Sequence, residues 1–409
     1  MANRIQLSAV LCTGCGACMQ KCPNACIKMA ADHEGFLFPQ IDYDLCVNCG
    51  ACISCCPQSK PVALSAPQEC YAASITDQDT LLDSSSGGMF SALAEEILSR
   101  NGVVFGCSFS REPETCLSAV HQSVESPSGL HEMRGSKYVQ SDTGHTYQEV
   151  KKCLNGDRWV LYTGTPCEIA GLTSFLGKDY EKLITVDLIC HGVPSPLLFK
   201  KYIEYCARKV DGKILTYKFR DKYKSGIYYY YYYLENRTGQ VKSRHGSRDR
   251  CGYLSAFSHG DTYREVCYKC RYAQNRRTGD LSIGDYFAIE FQHPEFNSRQ
   301  GVSSVLVNTV KGKQLMSSVA GRLALLKVQF EEIAAYNLNL QRPTARTSAR
   351  DNAYANISGE PETIFEAPPF KVSAKAKVIA LLKEHLPNWV LRRIRKVVFQ
   401  RAAKKAFAQ

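Results

Sequence analysis

Nowhere in these 409 residues is there an apolar run of the roughly 18 residues that a membrane-spanning helix requires. No basic-then-apolar leader follows Met1 either, so the expectation is a cytoplasmic chain that does not cross a bilayer. Charge of one sign is scarce once the tail is set aside. Of the formal net charge of +12, residues 371–409 supply most, with eleven Lys and Arg against the single acid Glu384. The remainder is near neutral, and no recognised nucleic-acid-binding motif accompanies the tail, which excludes nucleic acid as the expected partner. A hydrophobic content of 44% with 22% charged residues suits an ordinary buried core divided over two or three domains.

Cysteine, by contrast, is abundant, with 20 residues. In a small secreted protein that number would signal disulfides, but here the cysteines bunch at metal-ligand spacings. Residues 12–23 read C-T-G-C-G-A-C-M-Q-K-C-P and residues 46–57 read C-V-N-C-G-A-C-I-S-C-C-P. Both fit C-x2-C-x2-C-x3-C-P, in which three thiolates hold one cubane and the fourth, set before a proline, reaches the other. Cluster one is expected on Cys12, Cys15, Cys18 and Cys56, and cluster two on Cys46, Cys49, Cys52 and Cys22. Gly16 and Gly50 follow the second cysteine of each run, where a missing side chain lets the loop bend and turn amide N–H groups toward sulfur. Zinc is the alternative for C-x2-C pairs, and two four-cysteine runs with matching prolines argue against it. Cys26 and Cys55 are left over as buried thiols without a ligand role, although spacing alone chooses Cys56 over its neighbour Cys55.

Past residue 65 the pattern changes to alternating strand-like and helix-like segments, which predicts a mixed α/β domain over 66–345 behind a ferredoxin-type βαβ cluster domain over 1–65. The loop Ser84, Ser85, Ser86, Gly87, Gly88 opens a helix with apolar residues at 90, 93, 94, 97 and 98. Such a loop suits a phosphate or pyrophosphate, and equally a capped surface helix. Two strand-turn-helix passages carry cysteine at the turn: Trp159–Tyr162 into Gly164, Thr165, Pro166, Cys167, and Leu183–Ile189 into Cys190, His191, Gly192. The carboxyl ends of strands are where open α/β sheets place ligands. With the pair Cys267 and Cys270, these cysteines form either a third four-thiolate site or buried structural thiols. Tyr228–Tyr233 before Asn236–Gly239 predicts a hairpin with one packed face. His191 and Lys137 are the candidate catalytic groups, as proton donors or anion contacts.

Taken together, the runs Ser84–Gly88, Arg134–Tyr138, Gly164–Cys167, Cys190–Gly192, Phe219–Lys222, Cys267–Cys270 and Ile283–Asp285 resemble the coenzyme F-420 hydrogenase/dehydrogenase beta subunit family, in the bacterial form with a ferredoxin domain at the front. The likeness covers roughly residues 1–345. It implies FAD and a third [4Fe–4S] cluster in the larger domain, with Cys167, Cys190, Cys267 and Cys270 as the cluster's ligands. Cofactor-binding residues implied for the flavin are Ser85, Ser86, Gly87, Gly88, Ser136, Lys137, Gly164 and Thr165. The implied function is an iron–sulfur flavoprotein oxidoreductase passing electrons between ferredoxin-type clusters and an organic or deazaflavin-type acceptor through FAD. The implied partners are an electron donor or acceptor protein such as ferredoxin and a small-molecule substrate. The rival reading is a non-catalytic electron-transfer subunit of a hydrogenase or dehydrogenase complex. One departure concerns the pocket wall: Tyr286, Phe287 and Ala288 stand where the family has an aromatic pair ending in Trp-Gly.

Residues 346–409 read as a linker followed by a basic amphipathic tail. Its second half places Val390, Ile394, Val397 and Val398 on one stripe with Arg392, Arg393, Arg395 and Lys396 off it. That pattern fits a helix lying on the anionic inner face of a membrane, and equally a terminal helix packed on the core or a partner.

Overall fold

The computed structural model describes residue 5, residues 11–110, 117–222, 228–296 and 300–386, and Val390, Arg393, Ile394 and Val397. In the amino-terminal segment, two short helices, Ala17–Lys21 and Ala51–Ser54, flank an antiparallel hairpin of β1 (Ile27–Ala31) and β2 (Leu37–Ile41). Gly16 and Gly50 cap these helices in the left-handed region, at φ 73° and 75°, which a side chain would resist. The opening strand of a βαβ order would fall on residues 6–10, outside the described residues.

The larger body is built on β3 (Glu69–Ile75), β4 (Val103–Phe109), β5 (Ala119–Val124), β6 (Val160–Gly164) and β7 (Leu183–Leu188), with β8 (Gly212–Asp221), β9 (Tyr228–Glu235) and β10 (Val241–Ser247) in a side sheet. Strands β11 (Leu281–Asp285), β12 (Ser303–Val307) and β13 (Leu323–Val328) complete the main sheet, in the order β13-β3-β12-β11-β7-β6-β4-β5. Strands β4, β6, β7 and β11 are parallel, and β12, antiparallel to both β11 and β3, leaves β3 running in their direction. Five carboxyl ends therefore share one edge. Central strands are covered on both faces, as in β6, where Val160, Leu161 and Tyr162 are fully buried. The expected hairpin is β9-β10, and its tyrosines alternate as a half-buried strand requires, Tyr231 inside and Tyr232 exposed.

Residues 346–370 differ from the linker expectation. Arg350 is fully buried and ion-paired with Glu34 at 2.5 Å, and Tyr354, Ile357, Ile364 and Phe365 belong to the core. A polar, proline-containing segment concealed that packing because its few apolar residues carry no regular period.

The ferredoxin segment is welded to the body by buried polar side chains. Arg264 donates to the Cys12 carbonyl at 2.8 Å, to Gln140 Oε1 at 3.1 Å and to the Leu37 carbonyl at 3.0 Å, while stacking on Phe38. Gln140 in turn donates to the Thr13 carbonyl, and Thr143 to the Cys15 carbonyl. A buried guanidinium is tolerated only when its donors are used, and these are used across the junction.

Candidate functional site

In the amino-terminal segment the expected cysteines lie in two groups. Cys22, Cys46, Cys49 and Cys52 line one pocket. Cys12, Cys15 and Cys18 are electrostatic neighbours of Cys56, whose charge opposes their ionisation. Burial pushes the Cys15 thiol up to about 12 and raises Cys12 and Cys18 as well. Bringing such sulfurs together as thiolates requires a cation among them, which is the chemistry of a metal-cluster donor set. Amides supply donors to these sulfurs: Ile5 N–H meets Cys52 Sγ at 3.3 Å, and Gly14 and Ala17 turn theirs to Cys12 and Cys15. Among the described residues no three His, Cys, Asp or Glu side chains are drawn together tightly enough to chelate a single ion.

A third set of thiols lies at the carboxyl edge of the main sheet. Cys167 sits in the first turn of the helix Pro166–Leu176, which Thr165 and Glu168 start with a reciprocal capping box. Cys190 follows β7, while Cys267 lies within the short helical turn Glu265–Lys269 and Cys270 caps its end. Cys167 feels the charge of Cys190 and Cys270, and Cys190 that of Cys267 and Cys270. Burial raises all four thiols, Cys267 to about 12. The helix holding Cys167 also passes Cys15 so closely that a Cβ on Gly171 would stand 3.0 Å from its Sγ.

Near the third set lies a group of buried basic side chains. Arg220 Nη1 binds both oxygens of Asp285 at 2.7 and 2.9 Å; burial works to raise that carboxyl, and Arg220 outweighs it and holds it low. His191 faces Asp285 and is lowered by burial. Lys222 donates to the carbonyls of Leu81 and Ser86, and burial together with Arg220 brings its amine down to about 7. Lys137, lowered to about 8 by burial, donates to the carbonyls of Glu132 and Arg134. Ser85 Oγ accepts from Ser136 N–H at 2.6 Å, Ser86 Oγ donates to the Val302 carbonyl, and Gly87 N–H donates to Ser303 Oγ. Gly88 caps the helix Met89–Ser99. Ser85–Gly88 and Ser136 thus meet at one place. Gly164 and Thr165 are turned to other work, since Glu168 Oε2 accepts the Thr165 N–H at 2.7 Å and lies where a Gly164 Cβ would point. No hydrogen bond joins His191 to Lys137 among the described residues. Arg220 Nε is buried without a hydrogen-bond partner among the described residues, a donor still free for an anion.

Residues 157–331, which hold three of these elements, match the family profile for the C terminus of the coenzyme F420 hydrogenase/dehydrogenase beta subunit. Residues 11–60 match a 4Fe-4S dicluster domain. Over those residues the chain is similar to the coenzyme F420 hydrogenase/dehydrogenase beta subunit family. With a dicluster domain at the front, it is an iron–sulfur protein. Among solved structures it is similar to the F420-reducing [NiFe] hydrogenase complex from Methanosarcina barkeri, studied by xenon derivatization. The identity is 19%, over 64% of this chain and 83% of that one, with a TM-score of 0.42, a likeness too distant to bear on function. No curated protein matches the chain significantly.

Several groups in this matched region escaped sequence reasoning. Arg220, Lys222 and Asp285 lie in the family-like runs, but nothing in their spacing pairs residue 220 with residue 285. Asp187 and Arg277 form a buried pair at 2.5 Å that ties the chain after Cys270 to the strand before Cys190. Ala288, at φ 63°, holds a left-handed position in the departing Tyr286–Ala288 segment. Gly192, at φ 141°, packs so tightly on Tyr263 that a Cβ would stand 2.3 Å from its ring. Gly192→Ala is therefore expected to cost about 1–3 kcal/mol by overpacking next to Cys190, read as a lowered denaturation midpoint. An unchanged midpoint would show that the turn relaxes freely.

Proposed function

We propose that the chain is an iron–sulfur flavoprotein oxidoreductase that exchanges electrons between a partner protein and an organic or deazaflavin-type acceptor. The observation that carries this reading is the gathering of four cysteines from three separate segments near buried basic side chains, at the sheet edge where α/β folds bind ligands. Cys12, Cys15, Cys18 and Cys56 would hold one cluster, Cys46, Cys49, Cys52 and Cys22 the second, and Cys167, Cys190, Cys267 and Cys270 a third. Ser85, Ser86, Gly87, Gly88 and Ser136 would border a flavin. Arg220 Nε and the amines of Lys222 and Lys137 offer positive charge to its pyrophosphate. When bound, clusters supply single-electron transfer, and a flavin joins it to two-electron organic chemistry.

The chain's own residues do the rest. Cys49 is exposed beside exposed Leu45 and Val47, a surface suited to an electron donor or acceptor protein. Cys15 lies against the helix that carries Cys167, so the thiol sets run from that surface toward the sheet edge. Asp285, held ionised by Arg220, lies close enough to His191 to favour its protonated form, and that imidazole could hold a proton for the acceptor. Buried walls such as Ile189 and Tyr286 exclude water from the same region.

A cofactor inventory of anoxically purified protein tests this directly. The expected result is about twelve irons and twelve sulfides per chain, four of each per cubane, together with flavin. About eight irons and no flavin would reduce the protein to an electron-transfer subunit. Peripheral membrane attachment belongs to the same reading. Val378, Ile379, Leu381 and Leu382 are exposed on the helix Ala374–His385, and Ile394 and Val397 are exposed beyond it, while most of residues 387–409 lie outside the described residues. Flotation with anionic vesicles should be lost on deletion of residues 371–409, and binding that survives the deletion would dismiss the attachment.

A further inference from the structure

A cubane needs four thiolates, yet five cysteines line the pocket of cluster two. Beside Cys22, Cys46, Cys49 and Cys52 stands Cys26, buried and turned into the same wall. Its Sγ lies 3.3 Å from Cys22 Sγ. The turn between them explains the approach: Ala25, at φ 49°, donates its N–H to the Cys22 carbonyl, folding residue 26 back over residue 22. Beyond the turn Cys26 is anchored, because its carbonyl accepts the Asp42 N–H at 2.8 Å just before β1. Moving a cysteine sulfur between staggered χ1 wells displaces it by about 3 Å. The gap between the two sulfurs is therefore about one rotamer step, with no backbone movement required. Cys55, the other unassigned thiol, donates to the Cys52 carbonyl instead.

We propose that Cys26 is a stand-by ligand of cluster two, taking the place of Cys22 when that thiolate is lost or released. The exchange is redox-neutral. The iron–Cys22 bond breaks, an iron–Cys26 bond forms, and the Cys26 thiol proton passes to the freed Cys22 sulfur that it already touches. The proposal rests on the ligand set assigned above, and the experiment separates the two. Full-length wild type, Cys22→Ala, Cys26→Ala and the double variant are reconstituted anoxically with iron and sulfide. Iron per chain and the paramagnetic resonance of the reduced protein are then measured. Cys22→Ala and Cys26→Ala should each keep the wild-type iron, the former with an altered cluster signal, whereas the double variant should lose about four irons. Loss of those irons from Cys22→Ala alone would overturn the stand-by role, as would their loss from Cys26→Ala alone. Should Cys22→Ala fail to fold, Cys22→Ser with and without Cys26→Ala carries the same comparison. A wild type holding no dicluster iron would instead overturn the underlying ligand set.

Discussion

Replacing Cys167 with alanine should remove about four irons per chain and leave the amino-terminal dicluster signals intact. Cys167 is the member of the third set contributed by the helix Pro166–Leu176, whereas Cys190 comes from the β7 turn and Cys267 and Cys270 from a separate segment. No neighbouring residue can substitute. The Thr165 hydroxyl, 3.1 Å from Cys167 Sγ, already caps the helix. A cubane short of one thiolate is exposed to loss, so iron content and spin count should fall together. Cys70→Ala is the control, because Cys70 is a buried thiol that belongs to the core cluster around Leu306. Equal iron in Cys167→Ala and wild type would mean that these four are packing thiols.

The largest stability effect is expected at Asp187. Its carboxylate accepts from Arg277 Nη2 at 2.5 Å and Nε at 3.2 Å, from Thr278 N–H and hydroxyl at 3.0 and 2.9 Å, and from Gly279 N–H at 2.8 Å. Arg277 spends its remaining donors on the Tyr272 and Leu188 carbonyls, and both side chains are sealed from solvent. Asp187→Ala strands a buried guanidinium, and removing one partner of a buried pair costs about 3–5 kcal/mol. Denaturant unfolding should show that as a lowered midpoint. The same change frees the chain after Cys270 from the strand before Cys190, so iron at the third site should fall with it. A shift below about 1 kcal/mol would indicate that water reaches and solvates Arg277.

Local chemistry was legible where ligands are close in sequence. Cys12 to Cys18 and Cys46 to Cys52 are loop motifs, and a loop's geometry is set by its own spacing and glycines. The strands were legible for a similar reason: a segment such as Val160–Tyr162 declares its burial through an unbroken apolar run. Arg264 and Arg350 were not legible. A charged residue reads as surface until a fold supplies carbonyls and carboxylates for every donor, and those of Arg264 come from residues 12, 37 and 140. The stretch 346–370 failed as a linker for the same reason, since its value lies in Arg350 and Tyr354 reaching Glu34, Tyr263 and Thr262.

By itself, then, the sequence determined that this is a mixed α/β iron–sulfur protein with two four-cysteine runs and a basic tail, because each of those features is written within a few consecutive residues. Only the tertiary structure decided that Cys167, Cys190, Cys267 and Cys270 face one another, that Arg220 meets Asp285, and that Cys26 touches Cys22. Strand order and chain turns set such distances, and neither composition nor spacing encodes them.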